Sequence, residues 1–312
     1  MDQTEGRVRD GDRSEVVRKS LRTRPYARRA SRRIRQAGRQ AGRQAGSMSD
    51  RGESIRSNTS SSSNAMQYAG GFENTSAGTS GTSIFDPVLT ELIYRWFCPP
   101  HGAVLDPFAG GSVRGIVASK LGYRYLGIEL RPEQLAANQE QAERICQGDE
   151  YRPTWVEGDA SDAVSLVDGM TFDLVFSCPP YGNLEQYSDD PRDLSTMEYP
   201  QFCDAYQAVI QAACSVLNAD RFACFVVGDF RDKDGLYRGF PELTVATFES
   251  CGLRKYNEAI LVTAIGSLPI RVGKQFDAGR KLGKTHQNVL MFVKGDPRRA
   301  ADACNGQLEL PT

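Results

Sequence analysis

Ala103-Val104-Leu105-Asp106-Pro107-Phe108-Ala109-Gly110-Gly111-Ser112 is the stretch on which the fold turns. A short apolar run ends in an acid and a proline. Glycines follow, and apolar residues then recur at helical spacing from about Val113 to Leu121. This pattern predicts a strand, a turn whose backbone can approach a ligand closely, and a helix. In a doubly wound sheet, ligands sit beyond the carboxyl ends of the strands near the switch point. Asp106, Pro107, Phe108, Ala109, Gly110 and Gly111 are therefore candidate cofactor contacts.

The pattern repeats on either side. Upstream, Asp86-Pro87 starts a helix with apolar positions at Phe85, Val88, Leu89, Leu92, Ile93 and Trp96, and Pro99-Pro100 ends it. Downstream, strands are expected at Tyr123–Leu130, Thr154–Glu157, Asp173–Ser177 and Phe222–Val227. Helices are expected at Pro132–Cys146, Tyr199–Leu217 and Pro241–Cys251, and Ala259–Ala264 with Val289–Val293 reads as a final strand pair. Strands alternating with helices predict an α/β architecture: a mostly parallel, doubly wound, Rossmann-like sheet covered on both faces.

The strand ends carry further chemistry. The second strand ends in Gly127-Ile128-Glu129, an acid about 20 residues beyond the glycine turn, where it can accept from both hydroxyls of a ribose. After the third strand comes Gly158-Asp159-Ala160, and Asp159 can accept from an adenine amine. The turn lacks the GxGxxG spacing of a dinucleotide site, which argues against a nicotinamide dehydrogenase.

Ser177-Cys178-Pro179-Pro180-Tyr181 follows the fourth strand. Each proline locks φ and lacks an N–H, so the backbone is rigid and its carbonyls point to a set place. An amine brought there can donate to a carbonyl and direct its lone pair at an electrophile. Tyr181 offers a ring for stacking on a flat base, or it is an ordinary packed tyrosine. Alone, the segment also reads as a Pro-Pro turn. Together with the glycine turn, Glu129 and Asp159, it reads as a site.

With these residues in place, the chain resembles the amino-directed DNA methyltransferases, which make N6-methyladenine or N4-methylcytosine. Asp106–Gly110 is similar to their cofactor motif and Cys178–Tyr181 to their catalytic motif, over about residues 84–295. The segment Phe85–Trp96 is similar to the helix before the cofactor turn. The resemblance implies a class I methyltransferase fold with a reversed last strand. It implies S-adenosylmethionine as donor and Cys178, Pro179, Pro180 and Tyr181 as the catalytic set. It also implies a bacterial or phage-infected cell and the cytoplasm, and leaves a restriction or recognition partner open. Two positions depart from the family pattern. Ser112 stands where glycine is usual. Cys178 stands where Asp, Asn or Ser accepts a hydrogen from the target amine, and sulfur is a weak acceptor. Ser177 is on the opposite face of the strand from Cys178. The departure leaves adenine and cytosine undecided. It also keeps open RNA or protein-glutamine methylation, or a catalytically weak SAM-fold nucleic-acid-binding protein.

Composition bounds the rest. The chain has 312 residues and a formal net charge of −1, which hides an asymmetry: residues 1–56 hold 16 basic and 7 acidic side chains. A basic leader on an acidic body suits a polyanion partner, or is simply solvated. Residues 1–80, with the repeat Arg35–Gly46 and a Ser/Gly-rich stretch, are too poor in apolar residues to fold. Met48 and Met66 are alternative starts to Met1. One methyltransferase domain is expected over 81–297, with a polar tail at 298–312. No apolar run reaches the roughly 20 residues of a membrane helix. The eight cysteines include no CxxC pair and there are two histidines, so neither a metal site nor a disulfide framework is expected. The loop Gly266–Gln287, with Arg271, Lys274, Arg280, Lys281 and Lys284 against a lone Asp277, is the candidate DNA contact, or a solvated charged loop. The acidic stretch Asn183–Met197 is expected to be a lid or pocket wall, with Tyr187 in it.

Overall fold

The structure, a computed structural model, describes residues 84–182, 186–263 and 268–305, with side chains from 272 onward in the last segment. The expectations for residues 1–80 fall outside the described residues. In chain order the elements are α1 (Pro87–Phe97), β1 (Ala103–Asp106), α2 (Val113–Leu121), β2 (Arg124–Glu129), α3 (Pro132–Ile145), β3 (Thr154–Glu157), α4 (Ala163–Leu166), β4 (Phe172–Ser177), α5 (Tyr199–Val216), β5 (Leu217–Val227), α6 (Phe240–Ser250), β6 (Leu253–Val262), α7 (Leu268–Gly279), β7 (His286–Lys294) and α8 (Pro297–Cys304).

Strand order is β3-β2-β1-β4-β5-β7-β6. β1 to β5 run parallel, and β7 runs antiparallel to both β5 and β6. This is the mostly parallel, doubly wound, Rossmann-like sheet with a reversed last strand. The order reverses between β1 and β4, so the two segments singled out in the sequence leave neighbouring strands at the same edge.

Alternation along the strands feeds two cores. Val104, Leu174, Phe176, Cys224, Val226 and Met291 face α1, α2, α3 and α8. Leu105, Val175, Phe225, Val227, Leu290 and Phe292 face α4, α5 and α6. The second core is aromatic: Phe248 stacks on Phe292 at 4.2 Å and Tyr206 lies 4.9 Å from Phe240. Each such fully buried ring contributes about 1.5–3 kcal/mol through area removed from water. Helix α1 starts as the sequence predicts: Asp86 Oδ1 accepts from the N–H groups of Val88 (2.7 Å) and Leu89 (3.3 Å), and Pro87 occupies the first turn.

Two expectations change. The chain beyond Pro297 is not simply a polar tail, because Asp296 caps α8 by accepting from Arg298 N and Arg299 N, and Ala300 and Cys304 are buried in the first core. Nor is the connection between the last two strands an open loop throughout, because α7 occupies part of it. Outermost in the sheet, β6 exposes most of its side chains on both faces, and a register shift interrupts its pairing between Lys255 and Asn257.

Candidate active site

Asp106 ends β1 with its carboxylate fully buried. Oδ2 accepts from Arg114 Nε at 2.5 Å and from Tyr125 OH at 2.8 Å, and Oδ1 accepts from Ser177 Oγ at 2.6 Å. Arg114 Nη2 also donates to the carbonyls of Phe108 (2.6 Å) and Ala109 (2.9 Å), with its guanidinium 4.6 Å from the Phe85 ring centroid. Burial alone would lower the Arg114 pKa, but the charge and hydrogen bond of Asp106 raise it above the ordinary value. Burial, then Asp106, pushes Tyr125 well up, so its phenol stays a donor. The side chain of Asp106, through Arg114, therefore holds the turn from beneath.

Gly110 has φ +52°, the left-handed region, and a Cβ added to Gly110 or Gly111 would meet nothing within 4 Å. Gly110 thus answers a backbone need, and the space beyond both residues is open. Helix α3 holds the turn from the side. Asn138 Nδ2 donates to Gly110 O at 2.7 Å, and its Oδ1 accepts from Gln134 Nε2 at 2.9 Å. Ser112 has φ −72°, which any residue adopts, and its hydroxyl donates to Gln141 Oε1 at 2.6 Å. Serine at this position is a tether rather than a defect. At Gly127 a Cβ would lie 2.8 Å from Ala109 Cβ, 2.8 Å from Trp155 Cδ1 and 2.8 Å from Tyr125 OH, so only glycine lets the turn settle on β2.

Glu129 ends β2 and is 7% exposed. Its Oε1 accepts from Arg131 N at 3.1 Å and Arg131 Nε at 3.4 Å. Burial raises its pKa, and the Arg131 contacts pull it back only in part. Asp159, half-buried after β3, uses Oδ1 to cap the turn at Ser161 N (2.9 Å). The ends of β1, β2 and β3 are adjacent, so the turn, Glu129 and Asp159 line one edge in order. That edge carries open space at the turn, a buried carboxylate at Glu129 and a half-buried one at Asp159.

The catalytic candidates follow β4. Pro179 is buried and Pro180 half-buried. Tyr181 sits edge-on to Phe240 at 5.9 Å and accepts a 2.5 Å hydrogen bond from Gln287 Nε2 of β7. Its hydroxyl is 3.8 Å from Cys178 Sγ. Burial, then Cys178, holds the Tyr181 pKa well above the ordinary phenol value, so it remains neutral. Ser177 joins the two halves of the site: besides donating to Asp106, its Oγ accepts from Phe108 N at 3.1 Å.

Of the expected lid, residues 186–197 are described. Asp193 organises them, accepting from Ser195 N (2.9 Å), Ser195 Oγ (2.7 Å) and Ser188 Oγ (2.8 Å). Tyr187 is 42% exposed and its carbonyl accepts from Arg131 Nη1 at 3.4 Å, so this segment reaches the same arginine that touches Glu129. The basic candidates divide. Lys274 and Arg280 are exposed, and Lys281 lies against Gly235. Lys284 is half-buried, donates to Asp229 O at 3.4 Å and has its pKa lowered by burial. The side chain of Arg271 lies outside the described residues.

Arg114, Ser177, Asn138, Gln141 and Gln287 hold the site, and none stands out in the sequence as doing so. Among the described residues, no helix is long and apolar enough to cross a membrane and no cluster of His, Cys, Asp or Glu could hold a metal ion. No protein-family model matches the chain, and no curated protein matches it. Among solved structures, TrmN from Thermus thermophilus is similar at 14% identity and TM-score 0.44, over 67% of this chain and 49% of that one. Magnesium protoporphyrin IX methyltransferase (ChlM) from Synechocystis PCC 6803 with bound SAM is similar at 13% identity and TM-score 0.44, over 67% and 79%. A TehB-like SAM-dependent methyltransferase from Corynebacterium glutamicum is similar at 20% identity and TM-score 0.41, over 69% and 90%. The chain spans about half the length of TrmN.

Proposed function

We propose that the chain is a methyltransferase that moves the methyl group of S-adenosylmethionine to an exocyclic amine of a base in DNA, adenine N6 or cytosine N4. One observation carries this reading. The rigid Cys178–Tyr181 segment and the glycine turn leave adjacent strands and are tied by a single hydroxyl, that of Ser177. A group held at the turn and an amine held at the prolines would meet in a defined geometry.

The donor fits the residues present. Gly110 and Gly111 face open space, and Glu129 and Asp159 follow at the ends of the next two strands, where they would accept from ribose hydroxyls and from an adenine amine. When bound, S-adenosylmethionine supplies an electrophilic methyl group on a sulfonium. The prolyl segment's carbonyls accept the hydrogens of the target amine and aim its lone pair, and Tyr181 forms part of the wall against the base. The amine nitrogen gains the C–N bond, the C–S pair stays with sulfur, and the surplus proton passes to solvent. No protein nucleophile takes part, so Cys178 acts by position. A base in a duplex cannot reach this edge and must be flipped out.

The test is tritiated-methyl transfer to unmethylated DNA, RNA and bulk protein, with digestion of labelled DNA to nucleosides. A Pro180→Ala, Tyr181→Ala variant runs alongside. We expect label in N6-methyladenine or N4-methylcytosine and a fall of about 100-fold or more in the variant. Label confined to RNA or protein would transfer the reading to those substrates. No label despite bound donor would point to a binding protein.

A further inference from the structure

Between β5 and α6 the chain builds a small hairpin outside the glycine turn and the prolyl segment. Asp232 makes its turn: Oδ1 accepts from Asp234 N (3.0 Å) and Leu236 N (2.9 Å), and Asp232 N donates to Leu236 O (2.9 Å). Gly235, at φ +87°, donates to Asp232 O at 3.0 Å. Arg231 and Tyr237 pair across the hairpin as an antiparallel bridge. The Arg231 guanidinium donates to Gly235 O at 2.7 Å and lies 3.7 Å from the centroid of the Tyr237 ring. A stacked guanidinium holds the ring and places a cation against it. The turn is thus ordered in advance, yet Leu236 is 67% and Tyr237 45% exposed.

Both feet of the hairpin stand on the catalytic segment. The Phe230 ring lies against Gly182, Phe240 packs on Tyr181, and Arg238 N donates to Phe230 O at 2.9 Å to close the base. The local charge differs from that of the body. Of 38 Lys+Arg and 39 Asp+Glu, residues 1–56 hold 16 and 7, leaving 22 against 32 elsewhere. Residues 229–239 with 272–286 reverse this balance, with seven cations to four carboxylates. Lys281 lies against Gly235, and Lys284 Nζ is 6.0 Å from the Tyr237 ring centroid. Exposed ring and apolar surface, held rigid and flanked by cations, is the combination that binds stacked bases along a phosphate backbone.

We infer that the hairpin Phe230–Arg238 is the element that grips DNA beside the target base, an inference that rests on the nucleic-acid reading above. Tyr237 and Leu236 pack on bases adjoining the one drawn to Tyr181. Lys233 and Lys281 meet phosphates.

The full chain, with Tyr237→Ala, Tyr237→Phe and Lys233→Ala variants, is titrated against a fluorescein-labelled DNA duplex, its single strand and an RNA of the same sequence. Binding is read by anisotropy over a series of salt concentrations, and donor affinity by calorimetry. Tyr237→Ala should weaken DNA binding by about 5- to 100-fold with the salt slope unchanged, as loss of base stacking does. Tyr237→Phe should bind as wild type. Lys233→Ala should lower the salt slope by about 1. Donor affinity should hold in all three. If wild type methylates DNA and Tyr237→Ala binds it equally well, the hairpin inference fails while the methyltransferase reading stands. Loss confined to RNA overturns the DNA assignment of the hairpin, and absence of any nucleic-acid binding by wild type overturns both.

Discussion

Replacing Arg114 with Met keeps the length of the stem and removes the charge. In the wild type the pair is almost completely buried, Arg114 being 5% and Asp106 0% exposed at the side chain. Removing one partner of such a pair leaves an uncompensated charge and costs about 3–5 kcal/mol. The carbonyls of Phe108 and Ala109 also lose their donor, although water entering at the open turn can replace part of it. For a domain of this size each kcal/mol moves the melting temperature by about 2–4 °C, so Arg114→Met should melt on the order of 6–20 °C lower. Urea titration should show a lower midpoint, and calorimetry a weaker donor affinity because the turn is no longer held from below. Adding Asp106→Asn should recover part of the stability by removing the stranded charge, with a coupling of about 1 kcal/mol or more in a double-mutant cycle. An Arg114→Met protein that melts within 2 °C of wild type and binds donor unchanged would refute the view that this pair supports the turn.

Glu129→Gln should separate binding from stability. Burial raises the Glu129 pKa, so its contribution is most favourable below the unfolded pKa and is lost as pH rises through the folded one. The donor-free variant should therefore be more stable than wild type at neutral pH, with the gap closing in acid, yet bind donor about tenfold more weakly for want of a charged acceptor; equal melting curves at pH 4 and pH 8 would count against this. Ser112→Gly, although it restores the commoner residue, should cost about 1 kcal/mol because it strands Gln141 and loosens the start of α2, measured by urea denaturation. Tyr181→Phe keeps the ring on Phe240 but leaves Gln287 without its acceptor, so we expect a loss of about 0.5–1.5 kcal/mol in stability and a rate within a few-fold of wild type. A rate collapse would instead assign the hydroxyl to the chemistry.

Local pattern made the fold legible. Asp86-Pro87 announces α1, and alternating apolar runs mark the strands, because caps and periodicity are written over a few residues. The same holds for the turn, Glu129, Asp159 and the prolyl segment, which lie at strand ends. What was not legible is the support beneath them. Ser177 reaches Asp106 across 71 positions and Gln287 reaches Tyr181 across 106, and no periodicity encodes such pairs. Asp106 reads as a ligand contact because acids at strand ends often are, but its carboxylate is taken up by both neighbouring strands and a helix, through Tyr125, Ser177 and Arg114. Helix α8 gives little signal because its apolar residues are small, and only Ala300 and Cys304 of them are buried.

The strand made last in the sheet is not the one placed last. β7 lies between β5 and β6, and its backbone bonds both of them. During synthesis β6 therefore leaves the ribosome with no neighbour in the sheet, and β5 keeps an open edge meanwhile. Until residues 286–294 emerge, β5 keeps one open edge and β6 is unpaired on both sides, the kind of surface that recruits other chains. A nonsense mutation ahead of Val289 would not trim the end of this protein. It would remove an interior rib of the sheet and release β6 with it, so late truncations should be recovered from cells in the insoluble fraction.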